Sequence, residues 1–202
     1  MHDSMISGDS SEILAQLLER VSNCRLCEKQ LEPRPVVQAS AQSKILIIGQ
    51  APGIKVHKSG VPWDDASGKR LRQWLGLEPE TFYNSELVAI VPSAFCYPGK
   101  GKQGDLPPPK LCFDTWHQQI IEQLNKVELT LLIGQYAQAL YLPTDSKTTL
   151  SENVARYQHY AAQDIWPLPH PSPRNRHWFA KHPWFEQELV PKLQSKVRQL
   201  LA

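Results

Sequence analysis

Lys44-Ile45-Leu46-Ile47-Ile48-Gly49-Gln50-Ala51-Pro52-Gly53 reads as a short strand that breaks into a glycine- and proline-rich turn. Its four successive Ile and Leu side chains leave no polar face, which suits a strand covered on both sides. The pattern recurs along the chain. LVAIVP (87–92), ELTLLIG (128–134) and DIWPLP (164–169) are further short apolar runs, the last weakened by its two prolines. Helical patterns lie between and around them. SEILAQLLERV (11–21) has apolar residues at 13, 14, 17, 18 and 21, with Ser10 or Ser11 as cap. SGKRLRQWLG (67–76) stops at Gly76. LCFDTWHQQIIEQLN (111–125) and QYAQALYL (135–142) follow, and WFEQELVPKLQSKVRQLL (184–201) is kinked at Pro191. Residues 1–10 are expected to be disordered and the segment from Gly49 to about Asp65 to be loop. Strands alternating with helices imply right-handed βαβ units and a parallel sheet covered on both faces, within one domain spanning 1–202.

Composition narrows the function classes. The 202 residues are 41% hydrophobic and 21% charged, a globular balance that excludes a wholly disordered or fibrous chain. The longest apolar runs are too short to span a bilayer, so no membrane role is expected. The start MHDSMISGDS has neither the basic residues nor the apolar stretch of a signal peptide, and the expected location is the cytoplasm. A net charge of +2 says little about partners. From His170 to Ala202, however, six Lys or Arg stand against two Glu, a segment that could face phosphate or simply be a solvated helix face.

Ligands of parallel sheets gather beyond the carboxyl ends of the strands. Here those ends are GQAPG, PSAFCYPG, GQYAQ and PHPSPRN, the glycine-, proline- and histidine-rich segments of the chain. Gly49, Gln50, Ala51, Pro52 and Gly53 match neither a Walker loop nor a dinucleotide fingerprint, and by themselves form a tight turn. Asp65 or Ser67 could cap the following helix, or its first amides could hold a phosphate with Lys69 and Arg70. His170, stiffened by Pro171 and Pro173 in a strand-end loop, is better placed for chemistry than a histidine on a helix face. Cys24-x2-Cys27 and Cys96-x15-Cys112 allow an all-cysteine zinc site, a [4Fe–4S] cluster, or four reduced thiols.

Taken together in order, C-x-x-C, strand plus GQAPG, G-x-P-W-x-D-x-S-G, C-x15-C and HPSPRN resemble the uracil-DNA glycosylase superfamily, most of all its bacterial and archaeal iron–sulfur branches. The resemblance runs from about Leu17 to the C-terminus. It implies a three-layer α/β/α sandwich around a short, mostly parallel four-stranded sheet, and a DNA repair enzyme that flips a base and hydrolyses its N-glycosidic bond. Residues 49–53 would line the pocket beside that bond. Ala51 stands where other branches carry a catalytic Asp or Asn, so Asp65 of D-x-S-G becomes the water-activating candidate. Trp63 would stack on the extruded base, and His170 would donate to its O2. Ser172 and Asn175 would belong to a loop pressing on the minor groove, with Ser67, Lys69, Arg70, Arg174 and Arg176 holding phosphates. Cys24, Cys27, Cys96 and Cys112 would ligate a structural [4Fe–4S] cluster, and the protein is expected to be a monomer on DNA.

One departure bears on the substrate. Iron–sulfur relatives carry an Asn about four residues before the third cysteine, where it reads the uracil edge. Here that stretch is Val91-Pro92-Ser93-Ala94-Phe95. The same scaffold acting on another damaged base, or binding nucleic acid without catalysis, therefore stays open beside uracil removal.

Overall fold

The computed structural model describes residues 9–102, 104–143 and 148–202. Four strands form its main sheet: β1 (Ile45–Ile48), β2 (Val88–Ile90), β5 (Leu129–Ile133) and β6 (Ile165–Leu168). They run in the order β2-β1-β5-β6, and every neighbouring pair is parallel. A separate antiparallel hairpin pairs β3 (Lys100–Gly101) with β4 (Gly104–Asp105).

Alternation along β1 explains the layers. Ile45 and Ile47 face one apolar cluster, Leu46 and Ile48 the other, and each is at most 3% exposed. On the first face, α3 (Ala66–Leu75), α7 (Leu150–Ala155), α8 (Tyr157–Ala161) and α10 (Val190–Leu201) supply Leu71, Trp74, Val154, Tyr157, Leu193 and Val197. On the second, α1 (Ser10–Ser22), α6 (Gly134–Tyr141) and the helical segment through α5 (Gln118–Ile121) supply Leu14, Val21, Trp116, Ile120 and Ala137. The result is an α/β/α sandwich.

Both sheet edges are managed by sequence. On the β2 side, Gln38 runs antiparallel to Ile90 and exchanges backbone hydrogen bonds with it in both directions. Its side-chain amide also donates to the carbonyls of Phe82 and Val88, so the edge presents few free groups. On the other side, Pro167 sits within β6, tolerable because an edge strand needs only one row of donors.

Several expectations need correction. The expected disorder of residues 1–10 falls outside the described residues for 1–8, but Asp9 and Ser10 open α1. Asp9, not Ser10 or Ser11, occupies the cap position of α1. The segment expected as loop up to Asp65 contains a short helix, α2 (Ile54–Ser59), ended by left-handed Gly60. At Pro191 the helix does not merely kink. Residues Phe185–Leu189 widen into a π turn just before α10, because proline has no N–H to donate into the preceding turn.

Candidate active site

Strand order reverses between β1 and β5. The chain leaves β1 for β2 on one side and leaves β5 for β6 on the other, so their carboxyl ends splay apart and open a crevice. A cleft of about 740 Å³ occupies that crevice, and Gly49–Val56, Pro92, Gly134–Tyr136 and His170 are among its lining residues.

The first loop is held from behind. Gly49 O accepts from both the backbone N–H (2.9 Å) and the hydroxyl (2.8 Å) of Ser93, and Gln50 O accepts from Ala94 N–H at 3.0 Å. Ser93 is 3% exposed, so its hydroxyl is committed to the loop and does not face the cleft. Gly49, Gln50 and Ala51 of the first segment and Pro92 of the second line the cleft.

Trp63 lies across this floor. Its backbone adopts a left-handed φ of 55°, which costs a non-glycine residue energy and is held by its surroundings. A Cβ at Gly49 would come within 3.1 Å of the indole, and one at Gly68 within 1.8 Å of the Trp63 carbonyl oxygen. Glycine at 68 is therefore a steric requirement of this turn. The indole sits 5.5 Å from the His170 ring, centroid to centroid, with the planes tilted by 36°.

Asp65 is the cap of α3. One carboxylate oxygen accepts the Gly68 N–H at 2.8 Å, and the residue also lines the cleft. The capping role and the proposed chemical one thus fall on the same side chain, which has an oxygen for each.

His170 is fixed by its own loop. Its Nδ1 accepts from the Ser172 backbone N–H at 3.2 Å, and Asn175 Nδ2 donates to its carbonyl at 2.8 Å. An Nδ1 that accepts cannot carry the proton, so the neutral ring carries it on Nε2. Burial holds the imidazole below its usual pKa, while Asp65 pulls it back up in part. Across the cleft Gly134, at a φ of 82°, would bring a Cβ to 3.5 Å from His170 Cβ.

Not every residue expected at the DNA surface lines the cleft. Ser67, Ser172, Arg174 and Asn175 do; Lys69, Arg70 and Arg176 do not. Arg70 instead lays its guanidinium over Phe179, 5.0 Å from the ring centre, whereas Lys69 and Arg176 are exposed. Lining groups that the sequence did not point to include Lys55 on α2, and Gly104 and Asp105 on the hairpin. Glycine-rich Lys100–Asp105 lacks the β-branched residues that mark strands.

The four cysteines are free thiols, and Cys27, Cys96 and Cys112 are buried. Burial pushes the Cys96 thiol up to about 11; the Arg34 backbone opposes this, and Cys112, Cys27 and Cys24 reinforce it. The four sulfurs therefore share one neighbourhood. Among the described residues, however, no three His, Cys, Asp or Glu side chains close on the position of one metal ion.

A parallel sheet with a histidine-bearing cleft at its switch point offers a ligand site where such sheets usually hold one. The sequence profile of the uracil DNA glycosylase superfamily matches residues 36–194, and the chain belongs to that superfamily. In class it is a DNA glycosylase, a hydrolase whose partner is DNA. Cys24 and Cys27 lie outside the matched span. Among the described residues no helix is long and apolar enough to cross a membrane.

Proposed function

We propose that this chain hydrolyses the N-glycosidic bond of uracil, or of a related deaminated base, in a nucleotide flipped out of DNA. The observation that carries the reading is the hydrogen bond from Ser172 N–H to His170 Nδ1 beside the cleft. It leaves Nε2–H as a neutral donor, suited to a base carbonyl on which negative charge grows as the bond breaks.

The C1′–N bond lengthens and its electron pair leaves on the base, while C1′ becomes cationic. The free oxygen of Asp65 orients water towards C1′ and takes its proton as the new C–O bond forms. His170 donates a hydrogen bond throughout and keeps its proton; the base anion is later protonated from solvent. Trp63 offers a flat apolar face for the flipped base, replacing the stacking lost on leaving the duplex. Arg174 at the cleft and exposed Lys69 and Arg176 grip phosphates without reading sequence. The protein acts as a monomer, leaving the open strand ends clear for the duplex.

Pro92 and a committed Ser93 stand where an amide would read a pyrimidine edge, which favours a tolerance for deaminated bases beyond uracil.

Cys24, Cys27, Cys96 and Cys112 are proposed to hold a [4Fe–4S] cluster that ties the N-terminal arm to the 96–112 segment and takes no part in the reaction. Cys112, Cys27 and Cys24 all bear on the Cys96 thiol, which supports a shared ligand set.

The test is alkali cleavage of single- and double-stranded oligonucleotides carrying uracil, hypoxanthine or xanthine, with His170→Ala in parallel. Base release by the wild type and its loss in the variant support the reading. Binding without release by folded wild-type protein would instead identify a non-catalytic DNA-binding protein.

A further inference from the structure

The hairpin β3–β4 spans the mouth of the cleft, and nothing in the reaction described above uses it. Gly104 and Asp105 both line the cleft. At one lip, a Cβ on Gly53, the residue that caps α2, would meet Asp105 Oδ2 at 3.8 Å. At the other lip, Arg174 of the His170 loop lies so close to the hairpin that a Cβ on Gly104 would stand 3.1 Å from its Nη1. The two turns of chain that carry the pocket are therefore bridged by this one ribbon.

The ribbon is anchored rather than free. Leu106 N–H donates to Gly99 O at 2.9 Å, and Tyr97 Oη donates to Asp105 Oδ1 at 3.2 Å. Tyr97 in turn packs against buried His57 of α2, with ring centres 5.9 Å apart. Lys100 and Lys102 project from it, both exposed, and neither has an ion-pair partner among the described residues. Lys55, exposed on the adjoining α2, lines the same cleft. The one acid of the ribbon, Asp105, is engaged by Tyr97.

We propose that the paired strands β3 and β4 form a second DNA-gripping element, at which Lys100 and Lys102, with Lys55 and Arg174, hold the sugar–phosphate backbone where the strand enters the cleft. The inference rests on the glycosylase reading. A nucleotide reaching a pocket at the sheet's carboxyl ends must bring its flanking phosphates past this mouth. Unpaired ammonium groups on a fixed ribbon meet those phosphates without losing an ordered partner or reading sequence.

The test is the salt dependence of binding to an oligonucleotide carrying a tetrahydrofuran abasic site, for wild type, Lys100→Gln/Lys102→Gln and Lys102→Glu. Lys126→Gln, at the amino end of the sheet, serves as the control. Each lost phosphate contact lowers the slope of log K against log[salt] by roughly 1. The double variant is expected to lose up to about 2 in slope and to bind several-fold more weakly at about 0.1 M salt, with Lys102→Glu also weaker than wild type and Lys126→Gln unchanged. A wild-type slope and affinity in both hairpin variants would overturn the proposal while leaving the glycosylase reading intact. Failure of the wild type to bind or cleave any probe would overturn that reading, and the hairpin's role with it.

Discussion

Ser172 N–H donates to His170 Nδ1 at 3.2 Å, so the loop that presents the histidine also sets its tautomer. Burial keeps the ring neutral below its ordinary pKa of 6.5, and protonation would put a second donor against the Ser172 N–H. Base release should therefore stay on a plateau as pH falls through 6.5 and decline only at lower pH. A pH profile of single-turnover kcat/KM checks this. His170→Gln should cost about 10²–10³ in rate, the usual loss for one donor to a developing oxyanion. A decline centred above pH 6.5 would contradict the neutral-donor assignment.

Asp65 carries two tasks that substitution can separate. Asn can still accept the Gly68 N–H, so Asp65→Asn should keep the cap and Tm while losing most base release. Asp65→Ala should lose activity and also about 1 kcal/mol of stability, the ordinary worth of such a cap. Thermal unfolding beside single-turnover rates distinguishes them. Equal activity of Asp65→Asn and wild type would remove Asp65 from the chemistry.

Two glycines touch Trp63 with different stakes. At Gly68 an added methyl meets a backbone oxygen at 1.8 Å, which no side-chain rotation relieves. Gly68→Ala should cost about 3 kcal/mol or more and disturb both Trp63 and the Asp65 cap. At Gly49 the neighbour is the indole at 3.1 Å, which can give by a few tenths of an ångström. Gly49→Ala should fold nearly normally and show its effect in KM. Unfolding midpoints and tryptophan fluorescence of the two variants provide the comparison.

His117 is wholly buried beside Phe95, Phe113 and Tyr141, and among the described residues neither ring nitrogen makes a well-formed hydrogen bond. Burial holds its pKa down at about 4, with the Pro92 carbonyl pulling weakly the other way. The unfolded chain takes up this proton near 6.5, the folded one only near 4, so stability is lost as pH falls between those values. The loss amounts to about 3 kcal/mol at most. His117→Leu should raise the denaturation midpoint and flatten that acid dependence. A variant as acid-sensitive as wild type would place the proton uptake elsewhere.

The cysteine set has a colour test. Protein purified without oxygen should be brown and hold about four irons per chain if a [4Fe–4S] cluster is present. Cys96→Ser should bleach it and expose the 22–31 segment to protease, because the arm then loses its tie. A colourless wild type holding one zinc would replace the cluster with the single-ion alternative.

The sheet was legible because its strands are short, largely apolar runs ended by glycine or proline, a pattern set by local sequence. Helices α1, α3 and α10 were legible for the same reason, since their apolar stripes repeat at the helical period. Six-residue α2 was hidden because Gly53, Gly60 and Pro62 flank it and too few turns exist to show a period. The hairpin was hidden because Gly-Lys-Gly-Lys carries none of the residues that favour strands. Asp9 went unnoticed as the opening of α1 because Ser10 and Ser11 offer equally good caps.

The sequence by itself determined the layers, the parallel sheet and which segments end at its carboxyl edge, because burial pattern and turn residues are local properties. Only the tertiary structure decided that Trp63 lies between Gly49 and His170, that Asp65 and His170 influence one another, and that Arg174 meets the hairpin at Gly104. Those relationships join residues tens to more than a hundred positions apart. Nothing local encodes them; they follow from strand order in the sheet and from where glycine lets one backbone approach another.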